Sequence, residues 1–445
     1  MISESPQRLT VRQRRQACNW LYGHAVFYAI STGLTSSTLV IYLIFGLNAP
    51  RIALGVALIK AAPNLAGLLR LVTPALIERL GDRKRFCVGT FVLSGLVLLA
   101  LPLAAVPGWL PSASKSLLAV VLLWCGYHVL EYLGSVALWS WIGDLTPWRT
   151  RGRFLGRRER WMVAGQAAAM VAAGLFSHFW YKAFPRGDYP DMAWIAYAIP
   201  AGLGALCLIV SVVFLVQTPH PSPSPDAAPR VALAAIFAPF ADRRFLRLLC
   251  FGCWFSFFNG VTQTAQEMYP IDVLGISLLT SLALRTGTRV GQFGISPWMG
   301  RLADRFGNRR VMMACLPIVA TGTLFFMAAT RQQWAWVAGA WIVWIAYAGV
   351  NVCLPNLMLR LSPGPARTAY VAAYQTASGL SVAASILLGG LAADYLRNEA
   401  FVLFGGAWVL DCQQWMFFFG WATRTMGVLV LLLVLEPGKR RDHPA

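Results

Sequence analysis

Residues Gly300–Arg310 read GRLADRFGNRR, and an altered copy, PALIERLGDRKR, stands at Pro74–Arg85. In this pairing Glu78 answers to Asp304 and Gly81 to Gly307, both 226 positions apart. A second pair lies further along: DLTPWRTRGRFLG from Asp144 and RLSPGPARTAYVA from Arg360. There Pro147 answers to Pro363 and Arg151 to Arg367, at 216 positions. Two matches at nearly one offset mark an internal duplication.

The segments around these motifs are apolar. Val311–Thr330, which follows the first motif, holds no Asp, Glu, Lys or Arg, and neither do Gln16–Pro50, Phe86–Ser114, Trp161–Tyr181, Met192–Gln217, Gln332–Leu359 and Thr368–Ala393. Ile52–Ile77, Lys115–Gly143, Leu248–Val273, Leu274–Met299 and Cys412–Leu435 are interrupted once or twice. About 20 apolar residues cross the hydrocarbon of a bilayer, so these runs predict twelve transmembrane helices. With 57% of the 445 residues hydrophobic and only 13% charged, no polar face remains to dissolve so many buried helices in water. The first run is too long for the apolar core of a cleaved signal, so it is expected to be retained.

The chain carries 38 Lys and Arg against 18 Asp and Glu, a formal balance of +20. If the connections alternate between two sides, 27 of the 38 bases fall on the side of both termini, within segments such as Glu78–Arg85, Arg149–Arg160 and Arg301–Arg310. Positive residues collect on the cytoplasmic side. The expectation is therefore a multi-pass protein of the cytoplasmic (inner) membrane with both termini in the cytoplasm. The positive balance is topology and needs no nucleic acid as partner. Gln217–Pro229, QTPHPSPSPDAAP, cannot form a helix and reads as a solvated linker. It divides the chain into a bundle at 1–217, a cytoplasmic linker with a surface helix at 218–247, and a second bundle at 248–445. Cys250 and Cys253 have redox or zinc spacing but lie inside an apolar run without partner ligands, so neither chemistry is expected.

With the spans and the duplication in place, GRLADRFGNRR resembles the signature of the major facilitator superfamily. Gly300, Leu302, Asp304, Arg305, Gly307, Arg309 and Arg310 match the family's pattern for the connection between spans 8 and 9. The copy between spans 2 and 3 is degraded, with Pro74 for its glycine, Glu78 for its aspartate and Asp82 at a usually basic position. Arg151-Gly152-Arg153-Phe154 with Gly156 is similar to the pattern after span 4. The resemblance implies an all-α integral membrane fold, two six-helix bundles, and a secondary transporter holding a small solute near the bilayer midplane. It assigns a gating role to Glu78, Gly81, Gly300, Asp304, Arg305, Gly307, Arg309, Arg151 and Arg367. The physics is that a glycine at a helix end permits close approach, while an acid there accepts bonds that one conformation makes and another breaks.

The resemblance also implies that spans 1, 4, 7 and 10 line a central cavity. Each carries a polar or aromatic stripe: His24, Tyr28, Ser31 and Thr35; Trp124, His128, Glu131 and Ser135; Asn259, Gln263 and Glu267; Trp344, Tyr347 and Asn351. Lys60 and Asn64 on span 2, with Arg285 and Arg289 on span 8, are expected to reach the same space. A buried carboxyl must be paired or protonated, so Glu131 and Glu267 are the proton-coupling candidates. His24, Tyr28, Lys60, Asn64, His128, Asn259, Gln263, Arg285, Arg289, Trp344, Tyr347 and Asn351 are the solute-binding candidates. The three bases among them tilt the solute towards an anion or zwitterion, whereas the amides and aromatic rings equally suit a sugar or nucleoside. Arg424 on span 12 is expected to snorkel or to pair with Asp411. Span 5 offers only Gly165 and Gly174 where drug antiporters show a glycine-proline motif, which weighs against a drug exporter. No nucleotide cradle, metal motif or catalytic constellation accompanies the short loops, so neither an enzyme nor a cofactor is expected. The chain is expected to act as a monomer in the lipid bilayer on a small solute and a coupling proton. A non-transporting receptor or lipid-handling protein of the same fold is the alternative from another class.

Overall fold

The computed structural model describes residues 10–71, 73, 76, 82–145, 148–219, 238–363, 367–397, 399–403 and 408–435. The first half is built from α1 (Val11–Leu34), α2 (Ser37–Phe45), α3 (Ile52–Ala66), α4 (Arg83–Ala104), α5 (Ala113–Leu145), α6 (Trp148–Ala183) and α7 (Ile195–Gln217). The second holds α8 (Arg243–Val261), α9 (Gln263–Asp272), α10 (Leu278–Phe306), α11 (Asn308–Ala328), α12 (Trp336–Val343), α13 (Tyr347–Leu361), α14 (Arg367–Tyr395) and α15 (Cys412–Leu432). Short 3-10 turns extend α3 (Gly67–Leu71), precede α7 (Pro190–Met192) and join α12 to α13 (Trp344–Ala346). One two-stranded antiparallel hairpin, β1 (Ala400–Leu403) with β2 (Trp408–Asp411), stands between α14 and α15.

The chain divides into two compact units, Met1–Pro229 with Ser277–Ala283, and Arg230–Ile276 with Leu284–Ala445. Of the linker expected at 218–247, residues 220–237 lie outside the described residues. Among the described residues, eleven helical segments are long and apolar enough to cross a membrane. The twelfth expected span is present as the 29-residue α10, but Arg285, Arg289, Gln292 and several Ser, Thr and Gly dilute its apolar content.

Helices suit a membrane because each satisfies its own backbone, and several begin on a side chain that accepts the first free N–H groups. Asp82 accepts from Arg85 N at the start of α4, Asp242 from Arg244 and Phe245 N at the start of α8, and Asp411 from Gln414 N at the start of α15. Asp82, which stands at a usually basic position of the motif, is thus the cap of α4. On α7 the residues Leu203, Leu206, Val210 and Val213 recur on one exposed face, while Ala201, Ala205, Leu208 and Val212 are buried. An outward apolar stripe of this kind is stable against hydrocarbon rather than water.

The duplication is visible in the contacts inside each unit. Span 1 breaks at Thr35, where α1 passes to α2, and span 7 breaks at Thr262, where α8 passes to α9; the two are 227 positions apart. Gly204 packs against the Thr35 side chain, and Gly420, 216 positions later, against that of Thr262. A Cβ on Gly33 would lie 2.6 Å from the Gln166 carbonyl oxygen, and one on Gly260 would lie 2.7 Å from the Val382 carbonyl oxygen. These offsets, 227 and 216, agree with those of the sequence motifs to within one position, so the repeat extends to the joints between helices.

Candidate functional site

In the first unit, α1 and α5 meet at a carboxyl group. The Tyr28 hydroxyl donates to Glu131 Oε1 at 2.6 Å, and Ser135, one turn on along α5, donates to the same oxygen at 2.7 Å. Glu131 has no ion-pair partner among the described residues. Around it the aromatic groups are packed. Trp124 donates its indole N–H to Ile59 O at 2.9 Å, and the His128 ring sits edge-on to Trp124 at 4.6 Å. His24 is fully buried between α1 and α7, its Nδ1 3.2 Å from Ser211 O and its ring edge-on to Phe91. Ser31 and Thr35 are also buried, on the same face of the span. Lys60 and Asn64 are half-buried on α3, with the Asn64 amide 3.5 Å from Lys60 O.

The second unit treats its carboxyl differently. Glu267, 5% exposed, accepts from Arg285 Nη2 at 2.7 Å, and the Arg285 guanidinium lies 5.0 Å over the Trp341 ring. A buried ion pair is strongly destabilising to break from one side. Glu267→Gln is therefore expected to lower the stability of the purified protein by about 3–5 kcal/mol, while Glu267→Gln with Arg285→Met recovers most of that loss. Thermal unfolding in detergent checks both; equal midpoints for wild type and the single variant would refute it.

Two further polar contacts organise this unit. Tyr347 donates to Asn259 Oδ1 at 3.0 Å. Tyr347 stands 216 positions after Glu131, so the span 10 counterpart of the first unit's carboxyl is a phenol. Arg424 is fully buried and neither snorkels nor meets Asp411, which caps α15. Its guanidinium donates to Phe258 O at 3.3 Å, Asn259 O at 3.1 Å and the Thr262 hydroxyl. These carbonyls lie in the last turn of α8, where the helix dipole favours a cation and the break leaves acceptors open. Arg424 is thus the capping group of the span 7 break.

The remaining candidates separate. Trp344 is buried against α11, donating to Val319 O at 3.2 Å, so it packs helices. Gln263 is half-buried and Asn351 exposed, and neither makes a hydrogen bond among the described residues; Arg289 is exposed. Arg158 was hidden from sequence reasoning within a basic connection, yet it is 5% exposed, with its guanidinium 5.1 Å over the Trp139 ring.

Of the gating residues, Glu78 and Gly81 lie outside the described residues, as do the side chains of Arg151 and Arg367. Asp304 and Arg305 are exposed in the last turn of α10. Gly307 opens α11 at φ 92°, ψ 149°, a conformation open essentially to glycine alone. Gly300 corrects the expectation of close approach, since a Cβ there would meet no atom within 4 Å. Arg309 donates to Leu432 O at 2.9 Å, at the end of α15. In the first unit Lys84 donates to Val216 O at 2.6 Å and Thr218 O at 2.8 Å, at the end of α7. Val216 and Leu432 are 216 positions apart, so in both halves a base of the motif caps the last span.

No curated protein matches the chain at the level of sequence. Several solved structures share its fold. A variant of the nucleoside transporter NupG superposes with a TM-score of 0.69 at 12% identity, covering 94% of this chain and 100% of its own. A D-xylose-proton symporter gives 0.67 at 13%, covering 94% and 97%. The xylose transporter XylE from E. coli gives 0.63 at 13%, covering 95% and 97%. At such identities the likeness is one of fold. Residues 286–444 match the Major Facilitator Superfamily model, and residues 71–361, well over half the chain, match the MFS/sugar transport protein model. On that match, together with the helical fold and the doubled architecture, the chain belongs to the major facilitator superfamily and is a multi-pass membrane protein.

Proposed function

We propose that the protein is a secondary active transporter that moves a small polar solute, an anion or zwitterion before a neutral one, across the cytoplasmic membrane together with a proton. The mechanism is alternating access, with both termini in the cytoplasm. The observation that carries this reading is Glu131. A half-buried carboxyl on a membrane-spanning helix, with no ion-pair partner among the described residues, is a group that can take up and release a proton as its surroundings dry and wet. Glu267 has a permanent cation in Arg285 and is the poorer carrier. The two sequence candidates therefore take different roles: Glu131 carries the proton, and Glu267 holds the second unit together.

A sugar or nucleoside permease is the second reading, favoured by the amides of Gln263 and Asn351, which make no hydrogen bond among the described residues, and by the Tyr347–Asn259 pair, all of which suit hydroxyl groups. The test uses purified protein in liposomes with a pH-sensitive dye inside. Carboxylates, amino acids, pentoses and nucleosides are added in turn across a pH gradient of one unit. Solute-dependent proton movement with at least one of them is the expected result. Saturable binding without proton or solute movement would replace transport by a receptor role.

A further inference from the structure

The inward-facing bases of the second unit have partners: half-buried Arg285 has Glu267, and buried Arg424 has two carbonyls and a hydroxyl. Arg158 has none. It forms no hydrogen bond or ion pair among the described residues, and its Nε is buried without an acceptor. The adjacent carboxylate, Glu159, is exposed and acts on it only through space, without forming an ion pair. A guanidinium offers five N–H donors in a rigid fork and stays charged at all accessible pH. Withdrawing it from water without an anion is costly, and that cost is recovered when an anion arrives from outside the chain.

Its placement shows what such an anion would meet. Glu131, Ser135 and Trp139 follow one another at one-turn spacing along α5 and so share a face. Trp139 is 51% exposed, and the centre of the Arg158 guanidinium stands 5.1 Å from its ring. Arg158 is also close enough to Tyr28 and His24 to interact with them electrostatically. A cation–π contact with an indole uses none of the N–H donors, leaving them to engage two oxygens at once.

We propose that Arg158, held against Trp139, is an anion-recognition residue that takes a carboxylate group of the transported solute on the face of α5 that also bears Glu131. The inference rests on the transport reading above and moves the preference for an anion from Lys60, Arg285 and Arg289 to a residue in none of the family motifs. The solute class becomes a small organic acid, with the proton site two turns away.

The test measures thermal unfolding midpoints of the purified full-length protein with glycolate, lactate, pyruvate and succinate, each beside its neutral amide and sodium chloride at matched ionic strength. At least one acid is expected to raise the midpoint saturably while its amide does not. Arg158→Gln is expected to weaken that acid at least tenfold, and Arg158→Lys to fall between. The comparison of acid with amide on wild type, and the Lys variant, keep the test decisive should Arg158→Gln fail to fold. Equal stabilisation by acid and amide, undiminished affinity in Arg158→Gln, or no shift with any of the four acids overturns the proposal. Acid binding that depends on Arg158 without proton-driven flux leaves this subsite standing and removes coupling instead.

Discussion

Glu131→Gln is expected to abolish accumulation driven by a pH gradient while leaving the folded protein intact. The amide oxygen of the new side chain can still accept from Tyr28 and Ser135, whose hydroxyl groups converge on one oxygen at 2.6 and 2.7 Å. What is lost is the exchangeable proton. If one proton moves with each solute molecule, a gradient of one pH unit supplies about 1.4 kcal/mol and supports roughly tenfold accumulation. The variant should level off near equal concentrations inside and out, yet still exchange labelled for unlabelled solute. Uptake and counterflow in liposomes separate these outcomes. Tenfold accumulation by the variant would remove Glu131 from the mechanism.

Gly389→Ala and Gly260→Ala are expected to destabilise the protein at the joint of span 7. A Cβ on Gly389 would run into the Val261 carbonyl, and one on Gly260 would lie 2.7 Å from the Val382 carbonyl and press on Ser385. Backbone cannot step aside as the tip of a side chain can, so each methyl overpacks the joint, at about 1–3 kcal/mol. Gly287→Ala on α10, where nothing stands within 4 Å of the new Cβ, serves as the control. It is expected to be neutral or slightly stabilising, because alanine is the better helix former. Thermal unfolding of the three variants in one detergent checks the order. A Gly389→Ala protein that melts with the wild type would show that the joint has slack.

The class of fold was legible because the bilayer sets a length that the apolar runs display openly. The two halves were legible from charged motifs at their turns. What escaped lies where a residue's role depends on the path of a helix. Arg158 was counted with the cytoplasmic connection because charges cluster from Arg149 to Arg160, but α6 runs unbroken from Trp148 and carries its side chain inside. The breaks of spans 1 and 7 had a sequence trace, Gly33-Leu34-Thr35 and Gly260-Val261-Thr262, which repeats within one position of the 226-residue offset of the motifs. It was obscured by flanking residues as apolar as the rest of each span. The hairpin was likewise marked by two glycines between AFVL and WVLD, at Gly405 and Gly406. Among the polar candidates, residue type alone could not tell Glu131 from Glu267. The difference between them is the presence of a base one helix away.

The clamped joints bear on how the protein can move. A break in a helix is usually taken for a pivot, but here the chain beside Thr35 and Thr262 is gripped by glycines and carbonyls of the neighbouring spans. Interiors packed to that density transmit displacement rather than absorb it. Each bundle should then behave as a stiff lever, and the work of changing conformation falls on the connections between levers rather than on bends within them.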